Sequence, residues 1–169
     1  MVEEDRRPAS AQPDSKLETR NSKLGEPPPQ YWLRVHGYPS ALTTEIVYYN
    51  DFSDLTTGDL PRDPRLNIKV GDVLIYFADG PASLYGVATV TGDVQGPFPD
   101  SRRGEKWVVP IKREAIIRAI NKAPHAVGLE PPSGHHLLWK VRDATYIRLP
   151  EQDGVYLVAQ VKSRASTRE

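Results

Sequence analysis

The sequence predicts a β-rich α+β fold, a curved sheet or small barrel of short strands with one main helix. Between residues 30 and 161, apolar runs rich in β-branched and aromatic residues recur, and glycine, proline or polar turn residues bound them. One segment, Lys112–Asn121, has apolar residues at helical spacing instead. Many short strands with a single helix are typical of a small β-rich domain.

The segment before Gln30 has neither pattern and predicts a disordered tail. Five of the 16 prolines precede Gln30, and most other residues there are charged or small and polar. Such a segment cannot bury enough apolar surface to offset the entropy lost on ordering. It ends in the stiff spacer Pro27–Pro29. We therefore expect disordered tails at residues 1–29 and 162–169, and one domain at residues 30–161.

The first half of the domain predicts four strands and one long loop. The turn Gly71-Asp72 precedes the third strand, and Asp79–Pro81 joins the third strand to the fourth. Gly86 predicts a bulge or a tight bend in the fourth strand. The loop, residues 51–69, is rich in Asp, Thr, Gly and Pro, and a loop of this length is functional or disordered. The predicted strands are Tyr31–Val35, Glu45–Asn50, Val73–Ala78 and Leu84–Val90.

The second half predicts the helix and four further strands. In Lys112–Asn121, three isoleucines share one face at about 100° per residue, and Glu114 can pair with Arg118 one turn later. Ala123-Pro124 ends this helix. The predicted strands are Lys106–Pro110, Leu137–Val141, Thr145–Leu149 and Val155–Val161.

The composition excludes several classes of protein. Cysteine is absent, which excludes disulfides, thiolate zinc sites and a cysteine nucleophile. The N-terminus is polar, and no apolar run reaches membrane-spanning length. We therefore expect a cytoplasmic protein with no membrane partner.

The net charge is zero, but the charges are unevenly distributed. Residues 45–79 contain seven acids and three bases, whereas residues 102–122 contain seven bases and two acids. The zero net charge argues against strong non-specific binding of polyanions. The basic segment predicts a local phosphate-binding surface, with ordinary mixed surface charge as the alternative. The predicted phosphate-binding residues are Arg102, Arg103, Lys106, Lys112 and Arg118.

Covalent catalysis and metal binding find little support in the sequence. Ser133 lies near His135 and His136, but no strand-to-helix nucleophile elbow surrounds it. The two histidines could bind a metal together with His125, but without cysteine or an HExxH-like spacing the favoured interpretation is turn or pocket-rim histidines. No glycine-rich phosphate loop is present. We therefore expect no catalytic residue, no metal and no cofactor.

The aromatic residues suggest a binding function instead. Seven of them lie on or at the ends of predicted strands, where nucleobases find stacking platforms in other sheets and barrels. The alternative is that they fill the core, because aromatics are also favoured in strands. They are Trp32, Tyr48, Tyr49, Phe77, Tyr85, Trp107 and Trp139.

Three segments in order carry a resemblance to a known family. They are the opening Tyr31-Trp32-Leu33, the turn Lys69–Asp72 leading into Val73–Phe77, and the strand Leu84–Val90. This order resembles the EVE domain and, more broadly, the PUA-like superfamily that includes ASCH and YTH domains. The resemblance implies a PUA-like pseudo-barrel of roughly five to seven short strands, with one main helix and short helical turns.

The resemblance also implies a ligand. EVE-like and YTH-like domains bind modified nucleobases in RNA or DNA between aromatic and polar pocket residues. The family pattern carries over onto Trp32, Asn50 and Phe77, whereas Ala78 departs from the polar residue that often follows the strand aromatic. The complete predicted base-binding pocket comprises Trp32, Tyr48, Tyr49, Asn50, Phe77, Asp79, His135 and Trp139.

The leading hypothesis is therefore a non-enzymatic reader that binds RNA or DNA carrying a modified base. Pocket aromatics would stack on the base, and the basic segment would contact phosphates without reading sequence. Two alternatives remain open at this point. One is an ASCH-like ribonuclease that uses His135 or His136, and the other is a protein-interaction module.

Overall fold

A computed structural model describes residues 25–36, 52–55, 67–101, 104–137 and 146–165 of the chain. Within these ranges it contains seven β-strands, two short 3-10 turns and one long helix. The predicted tail at residues 1–29 falls outside them, apart from the exposed residues 25–29. The strands are β1 Tyr31–His36, β2 Phe52–Leu55, β3 Val73–Ala78, β4 Ser83–Val90, β5 Gln95–Asp100, β6 Gly104–Ile116 and β7 Tyr146–Leu149. The 3-10 turns are Ile120–Lys122 and Ala126–Gly128, and helix α1 is Glu151–Ala165.

The described strands form one mixed sheet in the order β2-β6-β4-β3-β1-β7, with β5 also paired to β6. Strands β1 and β3 are parallel, and the other neighbours are antiparallel. The long β6 pairs with β2 and β5 through its first part and with β4 through Ile111–Ile116, so the sheet curls into a half-barrel. The predicted β-rich α+β class, a curved sheet with one main helix, is confirmed.

The sheet has an apolar cluster on each face, because side chains of a strand alternate between faces. We call the first the helix face, because Leu157 and Val161 of α1 pack there against Leu33, Ile75 and Phe77. We call the second the aromatic face. Its buried members are Trp32, Ile68, Leu74, Tyr76, Ala78, Tyr85, Ala88, Val90, Val109, Ile111 and Tyr146. The chain therefore covers one face with α1, and four of the eleven buried members of the other face among the described residues are aromatic.

Two predicted elements are wrong, and each has a physical reason. Lys112–Asn121 is not a helix: β6 continues to Ile116, and only Ile120–Lys122 is helical, as a 3-10 turn. The isoleucine spacing that suggests a helix also suits a strand followed by a turn. Here Ile117 is 4% exposed on the helix face, and Ile120 of the 3-10 turn is partly buried against both faces. Pairing with β4 overrides the weak helical period.

The predicted closing strand Val155–Val161 is instead part of helix α1. Its β-branched residues favour a strand by propensity, but Asp153, Leu157 and Val161 are buried at intervals of four, which is a helical face. Acidic residues lie in the first turn and basic residues in the last, as the helix dipole favours. The helix ends at Ala165, beyond the predicted domain limit at Val161.

Of the remaining predicted strands, five are confirmed and two lie wholly or mostly outside the described residues. Those beginning at Tyr31, Val73, Leu84, Lys106 and Thr145 are confirmed by β1, β3, β4, β6 and β7. A register shift between Tyr76 and Phe77, opposite Gly86 and Leu84, places an irregularity where a bulge is predicted. Strand β2 lies inside the predicted loop 51–69, and β5 has no counterpart among the predictions. The predicted strand 45–50 and most of 137–141 lie outside the described residues.

No helix in the described ranges is long and apolar enough to cross a membrane.

Candidate nucleic-acid interface

The aromatic face contains a buried cation among its rings. Arg34 projects from β1 and is 3% exposed. Its guanidinium carbon lies 4.8 Å from the centroid of the Tyr146 ring, and its Nη1 donates to the carbonyl of Val35 at 2.9 Å. The neighbouring rings of Tyr76 and Tyr85 are tilted by 55° with centroids 5.8 Å apart. This arrangement combines π surfaces with a planar donor, the two kinds of group that proteins use to bind bases.

Asp72 fixes the end of this face next to Trp32. Its carboxylate is 3% exposed and accepts three hydrogen bonds. Oδ2 accepts from the Trp32 indole Nε1 at 3.0 Å and from the Lys69 backbone N at 2.9 Å, and Oδ1 accepts from the Gln30 backbone N at 3.0 Å. The Gly71-Asp72 turn therefore joins the start of β1 to the start of β3.

Trp107 differs from Trp32 in both exposure and hydrogen bonding. It lies in β6 and packs against the aromatic face while its side chain remains partly exposed. Its Nε1 atom is buried and has no acceptor in the described part of the chain. By contrast, Trp32 is 1% exposed and its Nε1 is satisfied by Asp72. Trp107 is thus a partly exposed ring whose indole donor is enclosed by the protein and has no acceptor among the described residues.

The structure does not bring the predicted base-binding residues Trp32 and Phe77 together. They project from opposite faces of the sheet, Trp32 onto the aromatic face and Phe77 onto the helix face. Both are almost fully buried, at 1% and 0% exposure, so their contact with a base stays a prediction. Asp79 and His135 are exposed in connecting turns. The other predicted pocket residues, Tyr48, Tyr49, Asn50 and Trp139, lie outside the described residues.

Of the predicted phosphate-binding residues, Lys112 and Arg118 are exposed, which phosphate contact requires. The register places Lys112 opposite Thr89, on the side of β6 away from the aromatic face. Arg102 and Arg103 lie outside the described residues, and Lys106 is described only in its backbone. Their phosphate contacts also remain predictions.

Arg113 is a basic residue that the sequence reasoning did not select. It is exposed and lies opposite Ala88, a member of the aromatic face, two residues beyond Ile111 on the same side of β6. The signal that could have found it is strand alternation from Val109 through Ile111. The helical spacing of the isoleucines in Lys112–Asn121 hides that signal.

Ser133, considered for catalysis, and His125, considered for metal binding, both make structural hydrogen bonds. The Ser133 hydroxyl donates to Oδ2 of the buried Asp153 at 2.5 Å, and the Ser133 backbone N donates to Oδ1 at 2.9 Å. The Nδ1 atom of His125 accepts from the Val127 backbone N at 3.2 Å and caps a 3-10 turn. Among the described residues no three Asp, Glu or His side chains are grouped as metal ligands would be.

Neither a protein-family model nor a curated protein matches the sequence. The fold is similar to solved structures. A hypothetical protein from Leishmania major aligns with a TM-score of 0.50 at 10% identity, over 80% of this chain and 96% of that one. Rpa0253 from Rhodopseudomonas palustris aligns with a TM-score of 0.50 at 17% identity, over 83% and 95%. The DUF55 domain of human thymocyte nuclear protein 1 scores 0.47 at 8% identity, over 76% and 96%. The first two likenesses are likenesses of fold alone.

Proposed function

We propose that this domain binds single-stranded or flipped-out nucleic acid and accommodates a nucleobase at the aromatic face. The observation that carries the proposal is the grouping of Trp32, Tyr76, Tyr85, Trp107 and Tyr146 on one sheet face. Helix α1 packs against the opposite face and leaves this grouping to the strands. Of these rings Trp107 is partly exposed and the other four are at most 8% exposed, so Trp107 is the ring on which an unstacked base would stack. A stacked base contributes about 1–3 kcal/mol.

The buried guanidinium of Arg34 supports the same proposal. Enclosing a cation in an apolar cluster carries a desolvation cost that a purely apolar residue would avoid. Within the fold, its ring contact with Tyr146 and its hydrogen bond to the Val35 carbonyl compensate for that cost. A planar donor held among rings suits the acceptor atoms on the edge of a base.

The phosphates of the bound strand would be contacted from the exposed side of β6. Arg113 borders the aromatic face, while Lys112 projects to the other side and Arg118 follows the end of the strand. Phosphate contacts position the strand and add affinity without reading its sequence. The resemblance to EVE and YTH domains extends the proposal to a base that carries a modification.

The experiment that tests this function measures binding of fluorescent single-stranded RNA and DNA by the full-length protein. Fluorescence anisotropy over a salt series gives the affinity and its salt dependence. We expect binding that requires bases, so that a matched strand of abasic sugar-phosphate binds at least several-fold more weakly. Mass spectrometry of nucleosides that co-purify with the protein would identify a modification. Equal affinity for the base-bearing and abasic strands would refute base binding.

Arg113→Ala and Lys112→Ala form a matched pair that locates the strand. If the base lies at the aromatic face, Arg113→Ala lowers the slope of log affinity against log salt by about 0.7 for one lost phosphate contact. Lys112→Ala then changes the slope by less, because Lys112 lies on the other side of β6. The opposite ranking would show that the nucleic acid crosses the other face.

A further inference from the structure

Two segments that carry bases and no acids meet at one end of the sheet. Residues 115–129 and 154–165 together contain four Arg or Lys residues and no Asp or Glu, in a chain whose net charge is zero. The first segment leaves β6 and forms the 3-10 turn Ile120–Lys122, and the second is most of helix α1. The Nη1 atom of Arg164 lies 3.5 Å from the carbonyl oxygen of Lys122, 42 residues earlier in the chain. The fold therefore brings bases from two distant segments together.

Three of these bases form a group that we call the basic corner. It comprises Arg118, Lys122 and Arg164, and all three are exposed. Ile120, which lies between the first two, packs against both the helix face and the aromatic face. The basic corner therefore lies at the end of β6, where the two faces of the sheet meet and beside the rim of the aromatic face.

The helix dipole does not by itself account for the basic corner. The partial negative charge at the C-terminus of α1 favours bases in its last turn, and Lys162 and Arg164 both lie there. At about 100° per residue, these two side chains leave the helix about 200° apart, on different flanks. Arg164 is the one that contacts the 3-10 turn. Gathering like charges costs repulsion, which bases on the other flank would avoid, so the grouping suits an anionic partner.

We propose that the basic corner binds phosphate groups of the nucleic acid whose base lies at the aromatic face, and holds the strand where it passes the end of β6. The inference rests on the proposed function and adds a path for the strand, from Trp107 past Arg113 to the basic corner. Arg and Lys side chains bind phosphate oxygens through charge-assisted hydrogen bonds and do not read bases there. Strand β6 spans up to about 30 Å between Trp107 and Ile116. The bound strand is therefore several nucleotides long, as in single-strand-binding sites of roughly 4–16 nucleotides.

Arg164→Gln and Lys162→Gln test the proposal as a matched pair. Both remove one positive charge from the last turn of α1, but only Arg164 belongs to the basic corner. The probes are a fluorescent single strand of about 12 nucleotides, in RNA and DNA form, and an abasic strand of equal length, so that each is long enough for the path along β6. Fluorescence anisotropy with the full-length protein measures the affinities over a salt series.

We expect Arg164→Gln to weaken binding about 4-fold at about 0.15 M salt and to lower the slope of log affinity against log salt by about 0.7, as for one lost phosphate contact. Lys122→Gln should behave in the same way. Lys162→Gln should change both quantities by less than half as much, because it alters only the long-range field of the protein.

The loss should be equal for the base-bearing and abasic strands, because the basic corner contacts only phosphates. This expectation separates the inference from the proposed function. If the unmutated protein prefers bases but Arg164→Gln and Lys162→Gln have equal effects, the inference fails and the proposed function stands. If the unmutated protein shows no preference for bases, both fail.

Two further measurements address other roles of the basic corner. Because like charges repel, Arg164→Gln should not lower the midpoint of urea denaturation. A lower midpoint with unchanged affinity would show that Arg164 only holds α1 against the 3-10 turn, and would overturn the proposal. An acidic protein surface is the alternative partner. Polyglutamate that displaces the bound strand as well as an abasic strand of equal charge would favour that partner and would also overturn the proposal.

Discussion

Removing the carboxylate of Asp72 should destabilise the protein strongly, because three donors depend on it. In Asp72→Ala the buried Trp32 indole N–H loses its acceptor, and so do the partly buried backbone N–H groups of Gln30 and Lys69. An orphaned buried donor costs about 1–3 kcal/mol, and a partly buried one that can reach water costs less. The expected loss is therefore about 2–5 kcal/mol, a large share of a typical stability of about 5–15 kcal/mol.

Urea denaturation followed by circular dichroism measures this loss. The matched control is Asp93→Ala, which removes an exposed carboxylate between β4 and β5 and should change stability by no more than about 0.5 kcal/mol. A double-mutant cycle with Trp32→Phe isolates the side-chain bond. Once the indole donor is gone, Asp72→Ala should cost about 1–2 kcal/mol less than in the original background. Equal midpoints for Asp72→Ala and Asp93→Ala would refute the reasoning.

Two further predictions concern the packing of helix α1. Gly154→Ala should lower the free energy of unfolding by about 1–3 kcal/mol, because a Cβ there would lie 2.1 Å from Cγ of Tyr31. Thermal denaturation measures the loss. Gly128→Ala is the control, because a Cβ at Gly128 would meet nothing within 4 Å. Leu157→Ala should lower the free energy of unfolding by about 2–5 kcal/mol, because the Leu157 side chain is 0% exposed. Val155→Ala is the control on the same helix. Because Val155 is 52% exposed, this variant should change the midpoint of urea denaturation little. Similar midpoints for Leu157→Ala and Val155→Ala would mean that α1 does not pack on the sheet as described.

The central strands could be predicted from the sequence because their signals are local and agree with one another. Val73–Ala78 is an uninterrupted apolar run after a turn, and all but its first residue are buried, as the packing of both faces requires. The Gly71-Asp72 turn is recognisable as a turn in the sequence. Its second role is not, because the bonds from Asp72 to Gln30 and Trp32 span about forty residues.

Two segments show where local signals fail: one is predicted as a helix and is mostly strand, and the other is predicted as a strand and is a helix. Residues 112–121 and 155–161 both contain β-branched residues whose spacing suits a strand and a helix almost equally. Long-range contacts decide between the two: β4 pairs along β6 and extends it, while the buried face of α1 docks on the sheet. The acidic start and basic end of α1, after Pro150, are the local signals that favoured the helix.

The candidate site depends on which residues share a face of the sheet. The pairing register of the strands decides this, and composition does not. Parallel pairing places Trp32 opposite Leu74 and Val35 opposite Phe77, so the side chains of Trp32 and Phe77 leave the sheet on opposite sides. A one-residue shift in this register would have put both on one face, and no local pattern excludes such a shift. The same parity, continued across β4 into β6, places Arg113 on the aromatic face and Lys112 on the other. Aromatic density therefore indicated a candidate base-binding surface, whereas the residues that compose it follow from strand pairing between distant parts of the chain.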